Sequence, residues 1–332
     1  MANTSQLVDR HGRVHNYLRI SLTDHCNLRC FYCMPEDGVE FQPKAKYLTQ
    51  DEIIDIAKTF VNLGVKKIRL TGGEPLIRKD IASIITRLSE LPVELAITTN
   101  GVLLDKYLPL FKKVGLNNVN ISLDSLDENK NLFITKRDYY FKIRQNIEQL
   151  INEGIIPKLN VVVMQNVNDN EIIDFLELAK NSPLDVRFLE FMPFNGNQWA
   201  LEKCFSFKDI QASINSHYGL DNIIKLKDPL HSTSKNYRIK GYQGSFGIIS
   251  SITNPFCSGC NRIRLTADGK LKNCLFSTEE FDVLSTYRSK QDIIPTILDC
   301  LQNKKKKRAG LETTNDNIEA FEQNRSMITI GG

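Results

Sequence analysis

Residues 17–33 read Tyr-Leu-Arg-Ile-Ser-Leu-Thr-Asp-His-Cys-Asn-Leu-Arg-Cys-Phe-Tyr-Cys. An alternating apolar run is followed at once by three cysteines, Cys26, Cys30 and Cys33, at C-x3-C-x2-C spacing. The alternation over 17–22 predicts a strand, which places the cysteines in the loop at its C-terminal end. Three soft thiolates so close together grip one metal centre. They are one ligand short of a closed zinc site or a closed iron–sulfur cube. An open cube leaves one iron for a small molecule. The alternatives are zinc completed by His25 or a distant residue, and a disulfide.

Outward from that loop the chain alternates short β-rich runs with longer amphipathic ones. Strands are predicted at 17–22, 67–70, 93–98, 118–123, 158–163 and 185–191. Helices are predicted near 49–63, 79–90, 103–114, 138–153 and 169–181. Thr49-Gln50-Asp51-Glu52 reads as a capping box, and Gly64, Gly115 and Gly154 read as helix ends. Strand–helix alternation predicts βαβ units and a parallel sheet. The fold class is therefore α/β, with six units forming an open, partial (β/α)6 TIM-like barrel. A flat doubly wound sheet is the alternative.

The strands are asymmetric. Side chains alternate faces along a strand. One face is aliphatic, with Leu18, Ile20, Ile68, Leu70, Ile97, Val119, Ile121, Leu159, Val161, Val186 and Phe188. The other carries Arg19, Lys67, Arg69, Thr98, Asn118, Asn120, Lys158, Asn160 and Arg187. A closed barrel fills its interior with branched aliphatics; this one would line it with cations and amides. Buried charge is costly unless paired, and the inward cations outnumber the inward acids. Internal Arg–Asp pairing is the plain alternative. The expectation is a cavity for a polyanion, with a nucleoside triphosphate the natural candidate. Loops at the C-terminal strand ends should form the site, and Thr71-Gly72-Gly73-Glu74-Pro75 follows the second strand there.

Residues 194–250 lose the βα rhythm, with one helix expected at 207–217. A second cysteine group follows: Cys257, Cys260 and, after thirteen intervening residues, Cys274. The Asp268-Gly269 turn suggests a hairpin returning Cys274 to Cys260. A zinc ribbon would need a second C-x2-C pair, which is missing. Arg262 and Arg264, two apart, face one way on a strand. Cys204 and Cys300 read as small buried apolar residues. His11, His15, His217 and His231 have no ligand spacing. Lys304–Lys307 with Arg308 reads as a solvated helix face rather than a nucleic-acid patch.

The chain has 332 residues, 41% hydrophobic and 25% charged, with a formal net charge of +4. That is ordinary globular composition, and the mild basicity suits an anionic ligand without arguing for nucleic acid. No charged-then-apolar leader and no apolar run of transmembrane length are visible. The expectation is a cytoplasmic chain with no membrane partner, whose thiols stay reduced. It divides into an N-terminal arm (1–15), the partial barrel (16–193) and a C-terminal region (194–332).

The first cysteine loop, with Tyr32 before its last cysteine, resembles the cluster motif of the radical S-adenosylmethionine (SAM) enzymes, and Gly72-Gly73-Glu74-Pro75 resembles their GGEP motif. With Cys257-x2-Cys260-x13-Cys274, the enclosed Arg262-Ile263-Arg264 and the ending Gly331-Gly332, the chain resembles the GTP 3′,8-cyclase family of molybdenum cofactor biosynthesis. The resemblance implies that Cys26, Cys30 and Cys33 hold a 4Fe-4S cluster that binds SAM. It implies SAM contacts from Tyr32, Gly73, Ser122 and Met192. Cys257, Cys260 and Cys274 would hold an auxiliary 4Fe-4S cluster that receives the guanine. Arg19, Lys67, Arg69, Thr98, Lys158, Arg187, Arg262, Ile263 and Arg264 would bind GTP. Arg262, Arg264 and the Gly331-Gly332 tail would take part in catalysis, the tail by inserting where no side chain fits.

The implied reaction is hydrogen abstraction from C3′ of GTP by a 5′-deoxyadenosyl radical and closure onto C8. The product is (8S)-3′,8-cyclo-7,8-dihydroguanosine 5′-triphosphate. A flavodoxin- or ferredoxin-like electron donor, a next pathway enzyme that receives the product and a homodimeric state are implied with it. The rivals are a radical SAM peptide-modifying enzyme with an auxiliary cluster, which predicts a peptide groove, and a zinc-stabilised nucleic-acid-binding protein, which predicts an exposed basic stripe.

Overall fold

A computed structural model describes residues 6–35, 38–197, 199–311 and 323–331. Its first half contains six parallel strands: β1 (Tyr17–Ser21), β2 (Lys67–Thr71), β3 (Glu94–Thr99), β4 (Asn118–Ser122), β5 (Lys158–Val163) and β6 (Asp185–Glu190). The helices between them are α1 (Gln50–Asn62), α2 (Ile81–Ser89), α3 (Leu104–Val114), α4 (Glu128–Thr135), α5 (Tyr140–Asn152) and α6 (Ile172–Glu177). Each strand pairs with the next in sequence. A doubly wound sheet would reverse its order at a switch point, so the strand order supports the open barrel. The expected capping box is present: Thr49 N donates to Glu52 Oε2 at 2.7 Å while Thr49 Oγ1 accepts from Glu52 N at 3.3 Å.

The aliphatic face lies under the helices. Leu18, Ile20, Ile68, Leu70, Ile97, Val119, Ile121, Leu159, Val186 and Phe188 are all buried in one core. Because the side-chain period is two, this burial fixes the register and sends the intervening polar residues inward.

The second half differs from expectation. Besides α7 (Phe207–Tyr218) it forms β7 (Ile223–Lys225), β8 (Lys235–Ile239) and β9 (Ser245–Ile249). Then come β10 (Arg262–Leu265), β11 (Lys270–Lys272), β12 (Phe281–Asp282), α8 (Val283–Arg288) and α9 (Ile294–Gln302). These strands extend the same sheet at both edges, in the order β12-β11-β10-β1-β2-β3-β4-β5-β6-β9-β8-β7. The two ends do not join among the described residues. The β10–β11 hairpin turns at Gly269, whose N–H donates to Thr266 O at 2.9 Å, as the Asp268-Gly269 pair predicted.

Residues 6–15 of the arm pack on the body: Leu7 is buried, Val8 bridges Val14, and Arg13 Nη1 donates to Cys257 O at 2.9 Å. One further expectation needs correction. The basic run 304–308 is not a solvated helix face, because α9 stops at Gln302. Lys305, Lys306 and Lys307 are exposed, but Lys304 and Arg308 turn inward and donate to the carbonyls of Asn273 and Ile252.

Candidate functional site at the strand ends

Arg19 lies in register between two other arginines. β1 pairs with β2 and β10 so that Arg69, Arg19 and Arg264 sit side by side on three neighbouring strands. The row before it is Lys67, Tyr17 and Arg262. Like charges placed opposite one another across strands are destabilising, so this arrangement needs a compensating anion. All six residues line a cavity of roughly 430 Å³. Thr98, Lys158 and Arg187 line it as well, as expected. The side chain of Ile263 does not. It points into the core between Arg262 and Arg264, because the strand period puts it on the opposite face, and only its main chain is left to contribute.

The electrostatics follow from this crowding. Burial, and then the charge of Arg264, holds Arg19 well below the usual guanidinium range. Burial and Arg262 bring Arg264 down to about 10. Burial and Arg187 lower Lys158. Internal pairing explains part of the inward charge: Lys67 Nζ meets Glu94 Oε1 at 2.8 Å and Arg187 Nη2 meets Asp185 Oδ2 at 3.0 Å. Among the described residues no carboxylate pairs with Arg69, Lys158, Arg262 or Arg264. Arg69 is instead aimed by Tyr17 Oη (2.6 Å) and the Ile97 carbonyl (2.8 Å), both of which accept from it.

Cys257, Cys260 and Cys274 also line the cavity. Burial raises the Cys260 thiol, but Arg262 and Lys304 outweigh it and bring the group down to about 6. A thiolate at neutral pH is a ready metal ligand. The inward turn of Lys304 was missed in the sequence, where the cation run gave no sign of it. Tyr17 was also missed, although it shares the parity of Arg19.

Cys26, Cys30 and Cys33 lie at the C-terminal ends of β1 to β4 and do not line the cavity. Burial pushes Cys26 up to about 11 and Cys33 up to about 12, and raises Cys30. These half-buried thiols, held up by burial despite Arg29 beside Cys26, suit a metal group, whose own charge deprotonates its ligands. Among the described residues no three Cys, His, Asp or Glu side chains converge on a single ion position, and all eight cysteines are free thiols. A cube spreads three thiolates over three irons, wider than one zinc requires. Three soft thiolates in each triad are chemically suited to an iron–sulfur cube, and neither triad forms a disulfide.

The residues around this loop are tightly placed. A Cβ on Gly73 would come within 2.3 Å of His25 O, so only glycine lets β2's end pack on the cysteine loop. Glu74 is buried, accepts from Asn100 N (2.7 Å), Thr99 Oγ1 (2.8 Å) and Leu76 N (2.9 Å), and is pushed by burial up to about 7. Tyr32 Oη donates to Asp124 Oδ2 at 2.7 Å, two residues beyond Ser122. Met192 lines the cavity. Gly331 is buried against β1 and β2: its carbonyl accepts from Arg264 Nη1 at 2.9 Å. A Cβ there would come within 2.8 Å of both Ser21 Cβ and Thr71 Oγ1. Gly332 lies outside the described residues. A larger hollow, roughly 570 Å³, sits at the opposite strand ends beside Leu7, Val65 and Pro92. Among the described residues its lining gathers no charge beyond Lys66.

Residues 20–179 match the radical SAM superfamily and residues 184–310 match the family Molybdenum Cofactor Synthesis C. A protein of Arabidopsis thaliana named "GTP 3′,8-cyclase, mitochondrial" is 44% identical over 99% of this chain and 84% of its own length. One of Alkaliphilus oremlandii named "GTP 3′,8-cyclase" is 41% identical over 98% of this chain and 99% of its own. The chain belongs to the GTP 3′,8-cyclase family.

Human "Molybdenum cofactor biosynthesis protein 1" is 43% identical over 98% of the chain, which spans 51% of that protein. The chain thus covers about half the length of its animal relatives. SuiB of Streptococcus suis, solved bound to S-adenosylmethionine, shares the fold at TM-score 0.60 and 14% identity over 84% of this chain and 67% of that one. As a member of the GTP 3′,8-cyclase family and the radical SAM superfamily, the chain is an α/β enzyme of molybdenum cofactor biosynthesis that uses SAM and a 4Fe-4S cluster. Among the described residues no helix is long and apolar enough to cross a membrane.

Proposed function

We propose that this chain cyclises GTP to (8S)-3′,8-cyclo-7,8-dihydroguanosine 5′-triphosphate. The observation that carries the reading is the in-register row Arg69–Arg19–Arg264. Three guanidiniums on adjacent strands make a triphosphate clamp, since arginine forks match phosphate oxygens. Lys67, Lys158 and Arg187 extend it, and Thr98 adds a hydroxyl. Arg262 and the main chain of Ile263 hold the purine end beside the second cysteine triad.

Cys26, Cys30 and Cys33 would hold the SAM-binding cluster, with Tyr32, Gly73, Ser122 and Met192 around SAM. Cys257, Cys260 and Cys274 would hold a second 4Fe-4S cluster. When bound and reduced, the first group supplies the electron that yields the 5′-deoxyadenosyl radical from SAM. The protein's own part is placement: the cation rows fix the triphosphate and so fix C3′ relative to the strand ends. Gly331 fills space beside Arg264 and excludes water from the reacting atoms. The reading includes a homodimer in the cytoplasm, a flavodoxin- or ferredoxin-like donor and a following pathway enzyme that takes the product. The division at residues 15/16 and 193/194 belongs to it too.

The test is anaerobic metal analysis with GTP binding. About eight irons per chain are expected, falling by half in Cys26→Ala/Cys30→Ala/Cys33→Ala and in Cys257→Ala/Cys260→Ala/Cys274→Ala, with selective GTP binding only when the second set is intact. Zinc at either site would overturn the reading.

A further inference from the structure

The first cysteine loop leans on the C-terminal end of α4. Arg29 N donates to the Thr135 carbonyl at 2.8 Å and Phe31 N to the Ile134 carbonyl at 3.2 Å. Phe31, between Cys30 and Tyr32 in the loop, packs its ring 5.6 Å from that of Phe133. Phe133 is 55% exposed and its neighbour Leu132 is 44% exposed, large apolar side chains left in water beside the loop. Lys136 Nζ stands 4.4 Å over the Phe133 ring, and Arg137 follows it, exposed. Of the charges in this stretch, Lys130 is neutralised by Glu171 at 2.7 Å. The exposed acids Asp127 and Glu128 lie at the opposite, N-terminal end of α4, Asp138 adjoins Lys136 and Arg137, and Arg29 adds a further half-buried cation.

We propose that this patch of Phe31, Leu132, Phe133, Lys136 and Arg137, with Arg29 beside it, is the docking surface for an acidic, low-potential one-electron carrier that reduces the SAM-binding cluster. The proposal rests on the reading that Cys26, Cys30 and Cys33 hold that cluster. The charge is complementary to an acidic partner, and electrostatic steering speeds encounter more than it tightens binding. A few apolar side chains rimmed by cations suit the small, transient interfaces of redox complexes, below about 1,200 Å². A permanent dimer needs roughly 2,000 Å² or more of largely apolar surface. Electron transfer slows steeply with distance, and a partner covering Phe133 is one ring away from the loop. The step balances simply. A flavin hydroquinone gives up one electron and becomes the semiquinone, and the oxidised cluster gains it.

The test uses anaerobically purified enzyme and a reduced bacterial flavodoxin as probe. Flavodoxin affinity is read by calorimetry at low and moderate salt, cluster reduction by EPR, and SAM cleavage with flavodoxin or with dithionite. In Lys136→Glu/Arg137→Glu and in Phe133→Ser, the expected results are at least tenfold weaker flavodoxin binding and correspondingly slower cluster reduction. Iron content and dithionite-driven cleavage stay at the wild-type level. Flavodoxin reduction at the wild-type rate in the variants would overturn the proposal. A shift of dimer to monomer in sedimentation would overturn it too, by making the patch a self-interface. Failure of dithionite to drive cleavage in the wild type would instead sink the cluster reading beneath it.

Discussion

The Gly331 carbonyl accepts a 2.9 Å hydrogen bond from Arg264, the outer member of the three-arginine row. Gly331 is therefore tied directly to the arginine row that lines the cavity. Gly331 has φ of +88° and no room for a Cβ. In Gly331→Ala the backbone strain alone is about 1–3 kcal/mol, and contact with Ser21 and Thr71 adds to it. Turnover should fall at least roughly tenfold while both triads keep their iron. Steady-state assays beside iron analysis check this; wild-type turnover would show that the tail's position is incidental.

Gly73→Ala should act on the other end of the site. Its new methyl meets the His25 carbonyl, so the cysteine loop has to move. The expected result is loss of about half the iron and of SAM binding, with GTP binding kept. Retained iron at both sites would mean the loop adapts.

Lys158 is lowered by burial and by Arg187, so the empty cavity carries repulsion. Lys158→Gln should weaken GTP by about 10- to 100-fold, the worth of one charge-assisted hydrogen bond. It should leave the melting temperature unchanged or higher. Calorimetry and thermal melts check the pair of effects. A variant that binds GTP normally would take Lys158 out of the clamp.

His15 is fully buried, holds Asp9 Oδ2 at 3.0 Å and is lowered by burial to about 4. Its folded value lies below its unfolded one of 6.5, so between these the unfolded chain binds more protons. Stability from this residue is therefore lost as pH falls. About 2 kcal/mol should go between pH 7 and pH 5. His15→Gln should flatten that part of the pH dependence in denaturant titrations, and an unchanged slope would contradict the assignment.

How far the chain reads from sequence differs along its length. The six parallel strands and their two faces were legible, because burial of Leu18, Ile20, Ile68 and Leu70 leaves Arg19 and Arg69 no other side. Thr49 and Glu52 announced α1 just as directly. The edge strands were not legible. β7 and β8 are short and half exposed, so their alternation carries little signal. The pairing of β10 with β1 joins Tyr17 to Arg262 across most of the chain, which no local pattern encodes. Lys304 and Arg308 were misread because a cation run looks solvated. Only the fold brings their ammonium and guanidinium groups to the carbonyls of Asn273 and Ile252.

The central claim is that this cavity holds GTP with its ribose C3′ facing the radical formed on SAM. Anaerobic turnover with GTP deuterated at C3′ tests it most directly. The account predicts one deuterium in the 5′-deoxyadenosine released and an equal amount of cyclised triphosphate. Unlabelled 5′-deoxyadenosine with GTP recovered intact would contradict it.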